Sequence, residues 1–169
     1  MTKTEMLAMV RRFIADEQAT GFTESSTGNN LEEPEGEEEL YMYLDRAVDE
    51  YSKRLVSQRD LRLVKQMTVN SGGLLPSDFI SFCGAVPVII EGKNIRYFGE
   101  STTIPVRYFA RLPYVTSYSD TTTLPYDNDQ AMTITALAAI YALNKHEFNV
   151  SQDLMLLGLG ATQNGGSQQ

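Results

Sequence analysis

The chain has 169 residues, the size of one ordinary domain, with 42% hydrophobic and 21% charged residues. It can therefore bury a core and is not disordered as a whole. Its formal net charge of −8 argues against a reader of the phosphate backbone, which needs clustered Lys and Arg.

Thr2 and Glu5 have the spacing of a capping box, in which each side chain satisfies a free backbone N–H at a helix start. Met6, Val10 and Phe13 or Ile14 then recur at helical spacing and predict an amphipathic helix over residues 3–17. Arg11 and Arg12 are followed by Asp16 and Glu17 and by no apolar export segment, so no twin-arginine signal is expected. Residues 19–30 have no apolar period and read as a loop.

An acidic run of Glu32, Glu33, Glu35, Glu37, Glu38 and Glu39 leads into a second helix, predicted over 37–57. Negative charge is favoured in a first helical turn, so solvation and helix initiation explain the run better than a metal site or a mimic of DNA. Leu40, Leu44, Ala47, Val48, Tyr51 and Leu55 form its apolar stripe. Asp49–Lys53 and Glu50–Arg54 are spaced as outer-surface ion pairs.

At Leu61 the period changes to two. Leu61, Leu63, Met67 and Val69 predict a half-buried strand, and a turn follows at Leu75-Pro76-Ser77-Asp78. Residues 86–90 and 95–98 are short apolar runs around Glu91-Gly92-Lys93-Asn94, where Gly92 suits the first central position of a tight hairpin turn. In the next strand Ile104, Val106, Tyr108, Ala110 and Leu112 face one way and Arg107, Phe109 and Arg111 the other. Pro105 cannot donate to a ladder, so this strand should lie at an edge or begin there.

Asp127 or Asp129 can cap a third helix over 128–146. Its apolar residues run nearly all round, which predicts burial in its own fold or against a neighbouring subunit through Ile134, Leu137, Ile140 and Tyr141. A short helix over 152–159 and a polar tail over 160–169 complete the chain. The expected fold is α+β, mainly α: a helical bundle of about four helices with a small antiparallel β-sheet insertion at 61–112, all in one domain over 1–159.

Chemistry finds little purchase. Cys83 and His146 are the sole thiol and imidazole, so a dyad would have to come from these two residues, and a zinc site of the usual type cannot be built. Cys83 also rules out an internal disulfide, which suits a reducing compartment. Asp127-Asn128-Asp129 lacks the glycine and terminal glutamate of a calcium loop. Gly158-Leu159-Gly160 ends a helix where a dinucleotide fingerprint must begin one, and Gly92-Lys93 lacks the spacing of a phosphate loop. No catalytic residue, cofactor or metal is predicted. The longest apolar helical run, 136–143, is far below the ~20 residues of a membrane span, so no membrane partner is expected.

Several strings carry a resemblance. They are Glu39-Leu40-Tyr41-Met42-Tyr43-Leu44-Asp45-Arg46-Ala47 after an N-terminal helix and an acidic loop, Leu74-Leu75-Pro76-Ser77-Asp78-Phe79-Ile80 after a strand, and Val106-Arg107-Tyr108-Phe109-Ala110-Arg111-Leu112-Pro113-Tyr114 before a polar loop, Leu124-Pro125 and an alanine-rich helix. In these strings and their order the chain resembles the head–tail adaptors (head-completion or connector proteins) of tailed bacteriophages, over residues 3–159.

The resemblance implies a virion structural protein at the head–tail junction, assembled in the host cytoplasm. It implies a homo-oligomeric ring, usually of twelve copies, that sits under the portal protein, extends the DNA channel and docks the tail or a tail-completion protein. Double-stranded DNA would pass through without specific binding. The implied portal-binding segment is Gly158-Leu159-Gly160-Ala161-Thr162-Gln163-Asn164-Gly165-Gly166-Ser167-Gln168-Gln169. The same residues admit a tail-completion or other neck protein. From a different class, a small cytoplasmic hydrolase using Cys83 or a carboxylate pair remains open.

Overall fold

The computed structural model describes residues 1–20, 36–70, 72–97 and 103–145. Within them the chain forms α1 (Lys3–Thr20), α2 (Glu37–Ser57), β1 (Val64–Asn70), β2 (Phe79–Phe82), β3 (Val88–Glu91), β4 (Asn94–Tyr97), β5 (Thr103–Ala110) and α3 (Asn128–Lys145). Single 3-10 turns stand at Leu61–Leu63 and Val115–Ser117. The chain divides into two compact units. One comprises Met1–Ala47 and Tyr114–Gln169, the other Val48–Pro113.

Four helices in a bundle, expected from the sequence, are not what the chain builds. The described residues hold three α-helices and a small antiparallel set of five strands, roughly 48% helix and 25% strand, so the small sheet is as expected and the four-helix bundle is not. The helix expected at 152–159 lies outside the described residues. In α2, Leu40, Leu44 and Ala47 belong to the helical unit, whereas Val48, Ser52 and Leu55 belong to the β unit. The boundary between the two units thus falls within the apolar stripe of α2.

In the helical unit α1 packs against α3. Both helices begin with reciprocal side-chain caps. Glu5 N donates to Thr2 Oγ1 (3.2 Å) and Thr2 N to Glu5 Oε2 (2.7 Å). Gln130 N donates to Asp127 Oδ1 (2.7 Å) and Asp127 N to Gln130 Oε1 (3.0 Å). These bonds satisfy donors that a helix start otherwise leaves open. The N-terminus is also tied to the loop before α3: Leu124 N donates to Met1 O, and Lys3 Nζ lies 3.1 Å from Asp120. Asp45 on α2 accepts from the Val115 and Thr116 backbone N–H groups and bonds the Thr116 hydroxyl, anchoring the loop that follows β5.

In the β unit, β5 is the central strand of a three-stranded antiparallel sheet of order β1-β5-β2, and β3 and β4 form a separate hairpin. Val69, Ile95 and Val106 centre the core of this unit, with Met67, Leu75, Phe82, Val86, Val88 and Ile104 around them. Pro105 sits near the start of β5 and pairs with Thr68 on β1. Arg107 shares its strand parity, and the Arg107 carbonyl accepts from Cys83 N on the β2 side. The donor that Pro105 lacks therefore points to that side, and β2 reaches only Tyr108 to Ala110, so no ladder bond is lost.

Two strand expectations shift. β1 begins at Val64, because Asp60 accepts from Arg62 N (2.9 Å) and winds Leu61–Leu63 into a 3-10 turn that buries Leu63 and exposes Leu61. Upstream, α2 ends in a Schellman closure, with Asp60 N donating to Leu55 O and Arg59 at φ 56°. Residues 79–82, read only as the chain beyond a turn, form β2 with an irregular register on β5.

Asp49, expected to face outward toward Lys53, instead meets Arg111 Nη1 at 3.3 Å. Beside it Ser52 is fully buried. Its hydroxyl donates to Val48 O (2.7 Å) and accepts from Leu112 N (3.1 Å). Ser52→Ala strands the buried Leu112 N–H and should lower stability by about 1–3 kcal/mol, read from urea denaturation. An unchanged midpoint would show that this bond contributes nothing.

Candidate functional site

The hairpin turn has Gly92 at φ 66° and Lys93 at negative φ, the sign pattern that matches the twist of paired strands. Across it Ile89 pairs with Arg96, Ile90 with Ile95 and Glu91 with Asn94. A strand alternates its faces, so Ile90 and Ile95 share the core side while Ile89, Glu91 and Arg96 share the other. Ile95 is buried, but Ile90, its partner on the strand at the outer edge, is 42% exposed and Ile89 is 49% exposed. Leu74, bridged to Asn94, adds an apolar side chain that is 73% exposed. Leu75 N donates to Lys93 O and Ile95 N to Gly73 O, which fixes this approach to β4.

Charge is divided as sharply as the fold. Val48–Pro113 carries nine Lys and Arg against six Asp and Glu, a formal +3. The rest of the chain carries five against sixteen, a formal −11. Most β-unit cations face a carboxylate: Lys53 with Glu50, Arg62 with Asp60, Lys65 with Asp78, Arg96 with Glu91 and Arg111 with Asp49. Lys93 at the hairpin tip is exposed, and among the described residues no carboxylate lies in ion-pair range of it. The hairpin region therefore exposes three aliphatic side chains and, at its turn, a free ammonium.

The described residues among those considered for chemistry are Cys83, Gly92-Lys93 and Asp127-Asn128-Asp129. Cys83 is half-buried beyond β2, and burial raises its thiol pKa, with Arg107 opposing more weakly. A raised pKa keeps the thiol protonated and poorly nucleophilic at neutral pH. His146 lies outside the described residues. Asp127 caps α3, and Gly92-Lys93 is a hairpin turn. Among the described residues no group of three or more His, Cys, Asp or Glu side chains could hold a metal ion, and no helix is long and apolar enough to cross a membrane.

One polar cluster is well built. Asp78 accepts from Lys65 Nζ (2.6 Å) and from Tyr108 Oη (3.1 Å), and its carbonyl takes the Arg111 N–H. Burial raises the Tyr108 pKa, and the Asp78 carboxylate raises it further. Phe79 stacks on the Tyr108 ring at 5.8 Å. These bonds fasten the 76–79 turn to β5, a structural task.

Of the residues proposed for a subunit interface, Ile134 and Leu137 are fully buried and Ile140 nearly so within the chain itself. Tyr141 is half-buried under the Arg46 guanidinium at 4.4 Å. The burial predicted for this helix is met internally, and Met132 is its exposed apolar side chain. The portal-binding segment, Gly158 through Gln169, lies outside the described residues, as do Glu32, Glu33 and Glu35. Glu37, Glu38 and Glu39 occupy the first turn of α2, where Arg11 pairs with Glu37 at 3.3 Å.

The sequence marks 86–90 only as a short apolar run, which does not reveal that Ile89 and Ile90 are exposed. A charge count over 48–113 alone exposes the basic balance. Comparison with family models, with curated proteins and with solved structures finds no match to this chain.

Cys83 supplies a check on the non-catalytic assignment. Iodoacetamide at pH 7.5 should alkylate it several-fold more slowly in the folded chain than in urea, and the rate should climb through the alkaline range as the thiolate forms. The sign also governs stability. A thiol with a raised folded pKa contributes fully below its unfolded pKa and loses that contribution as pH rises through the folded value. Rapid labelling at pH 7.5 in the folded state would mark an activated thiol and reopen the hydrolase.

Proposed function

We propose that the chain is a virion head–tail adaptor that forms a ring under the portal, extends the DNA channel and docks the tail. The observation that supports this most is the order of elements: an N-terminal helix, an acid-led second helix, a β unit, then an alanine-rich third helix. That order agrees with the adaptor resemblance carried by residues 39–47, 74–80 and 106–114. In the structure these strings fall on α2, on the turn into β2, and on β5 with its exit.

The surface chemistry is consistent with the same role. A unit of formal −11 beside a DNA channel would repel phosphate and let the duplex pass without sticking.

The test is complementation. Heads that carry a portal but lack this chain are mixed with purified protein and tails, and joined particles are counted. Wild-type chain should restore joining. Cys83→Ala and His146→Ala should restore it equally, since neither has a chemical task. Deleting residues 163–169 should lower joining at least several-fold while leaving the thermal unfolding midpoint unchanged. Failure of the wild-type chain to join heads to tails overturns the adaptor assignment. Loss of joining in Cys83→Ala with the fold intact would point to chemistry.

A further inference from the structure

The hairpin tip and the start of α2 are complementary in two properties at once. At the tip, Leu74 and Ile89 expose aliphatic side chains on the face of the hairpin away from its core, beside the turn that carries Lys93, in a unit of formal +3. On α2, Glu38 and Met42 stand four residues apart, so they share one helix face. Met42 is 71% exposed, Glu38 is exposed, and they lie in the unit of formal −11. The unbranched thioether of Met42 is an adaptable contact for aliphatic groups.

We infer that the β3–β4 hairpin of one copy docks on the Glu38–Met42 face of α2 in a second copy, head to tail. Lys93 meets Glu38, and the hairpin aliphatics meet Met42. The inference rests on the proposed ring, and it names the surfaces that join neighbouring subunits. Two observations favour a second copy over another polyanion. The chain supplies its own acidic counterpart in excess. The hairpin's aliphatic side chains also suit the Met42 side chain and have no partner on a phosphate backbone. Such a contact is heterologous: each copy offers one hairpin and one helix face, so copies add in one direction until the rotation closes. The chain's net charge of −8 opposes association at long range, so the contact forms where salt screens that field to about 8 Å, near 0.15 M.

The experiment is a charge swap read by sedimentation velocity at 0.15 M salt on full-length protein. Wild-type chain should associate with increasing concentration. Lys93→Glu and Glu38→Lys, each at an exposed site, should keep the wild-type circular dichroism spectrum and weaken self-association on the order of tenfold. An equimolar mixture of the two variants should then associate at least as strongly as wild type. In the mixture each hairpin meets a face of opposite sign, whereas within either variant alone like charges meet.

A mixture no stronger than its components overturns the inference, as does a wild-type chain that stays monomeric at every concentration. Lys93→Glu losing a duplex DNA retention that wild type shows, with self-association unchanged, also overturns it and makes the tip a phosphate contact. Failure here stays distinct from failure of the adaptor role. Particles can be joined by the chain in complementation while the swap rescues nothing, in which case the ring uses other surfaces.

Discussion

The β unit depends on how the chain leaving β5 is secured against α2. Strand pairing alone cannot do this, because β5 ends at Ala110 and the following backbone must find partners outside the ladder. Ser52 provides one inside the core, taking the Leu112 N–H while its own proton goes to the Val48 carbonyl. Asp49 adds a partly screened ion pair to Arg111. In the helical unit Asp45 does the same for Val115 and Thr116. Neutral bonds of this kind contribute about 1 kcal/mol each when made, and leaving the buried group unpaired costs more, so they act chiefly by excluding alternatives.

That same constraint explains what the sequence concealed. Apolar periodicity located α1, α2, α3, β1 and β5 because each buries one side of a regular element. The bounds of α2 were legible to the residue, since acidic residues open it and the polar chain after Ser57 closes it. The Thr2–Glu5 capping box and the Gly92 turn were legible for the same reason, since their chemistry is local, whereas the reciprocal bond of Gln130 to Asp127 was not read. The destination of a polar side chain was not. Asp49 and Lys53 have the spacing of a surface pair, and nothing in one helix reveals that Asp49 meets an arginine 62 residues away. The unit boundary inside α2 was equally hidden.

At the candidate site the balance differs. The sequence narrows the candidates for thiol and imidazole chemistry to one cysteine and one histidine, and burial raises the pKa of that cysteine. The hairpin surface was not legible, since Ile89 and Ile90 are apolar and strand-forming like any core pair. Their exposure depends on β3 and β4 forming a short two-stranded sheet with β3 as its outer strand. A single net charge hid the rest. A value of −8 averages a basic β unit with a strongly acidic remainder, and the segregation, not the sum, is what a neighbouring surface meets.

The central claim is that this chain works as a ring at a head–tail junction. Rotational symmetry in electron micrographs of the native particle tests it most directly. The account predicts density for the chain in a twelvefold ring coaxial with the portal. Sixfold symmetry further down the channel would contradict it in favour of a tail-completion role, and a monomer or dimer found apart from any particle would contradict the structural role altogether.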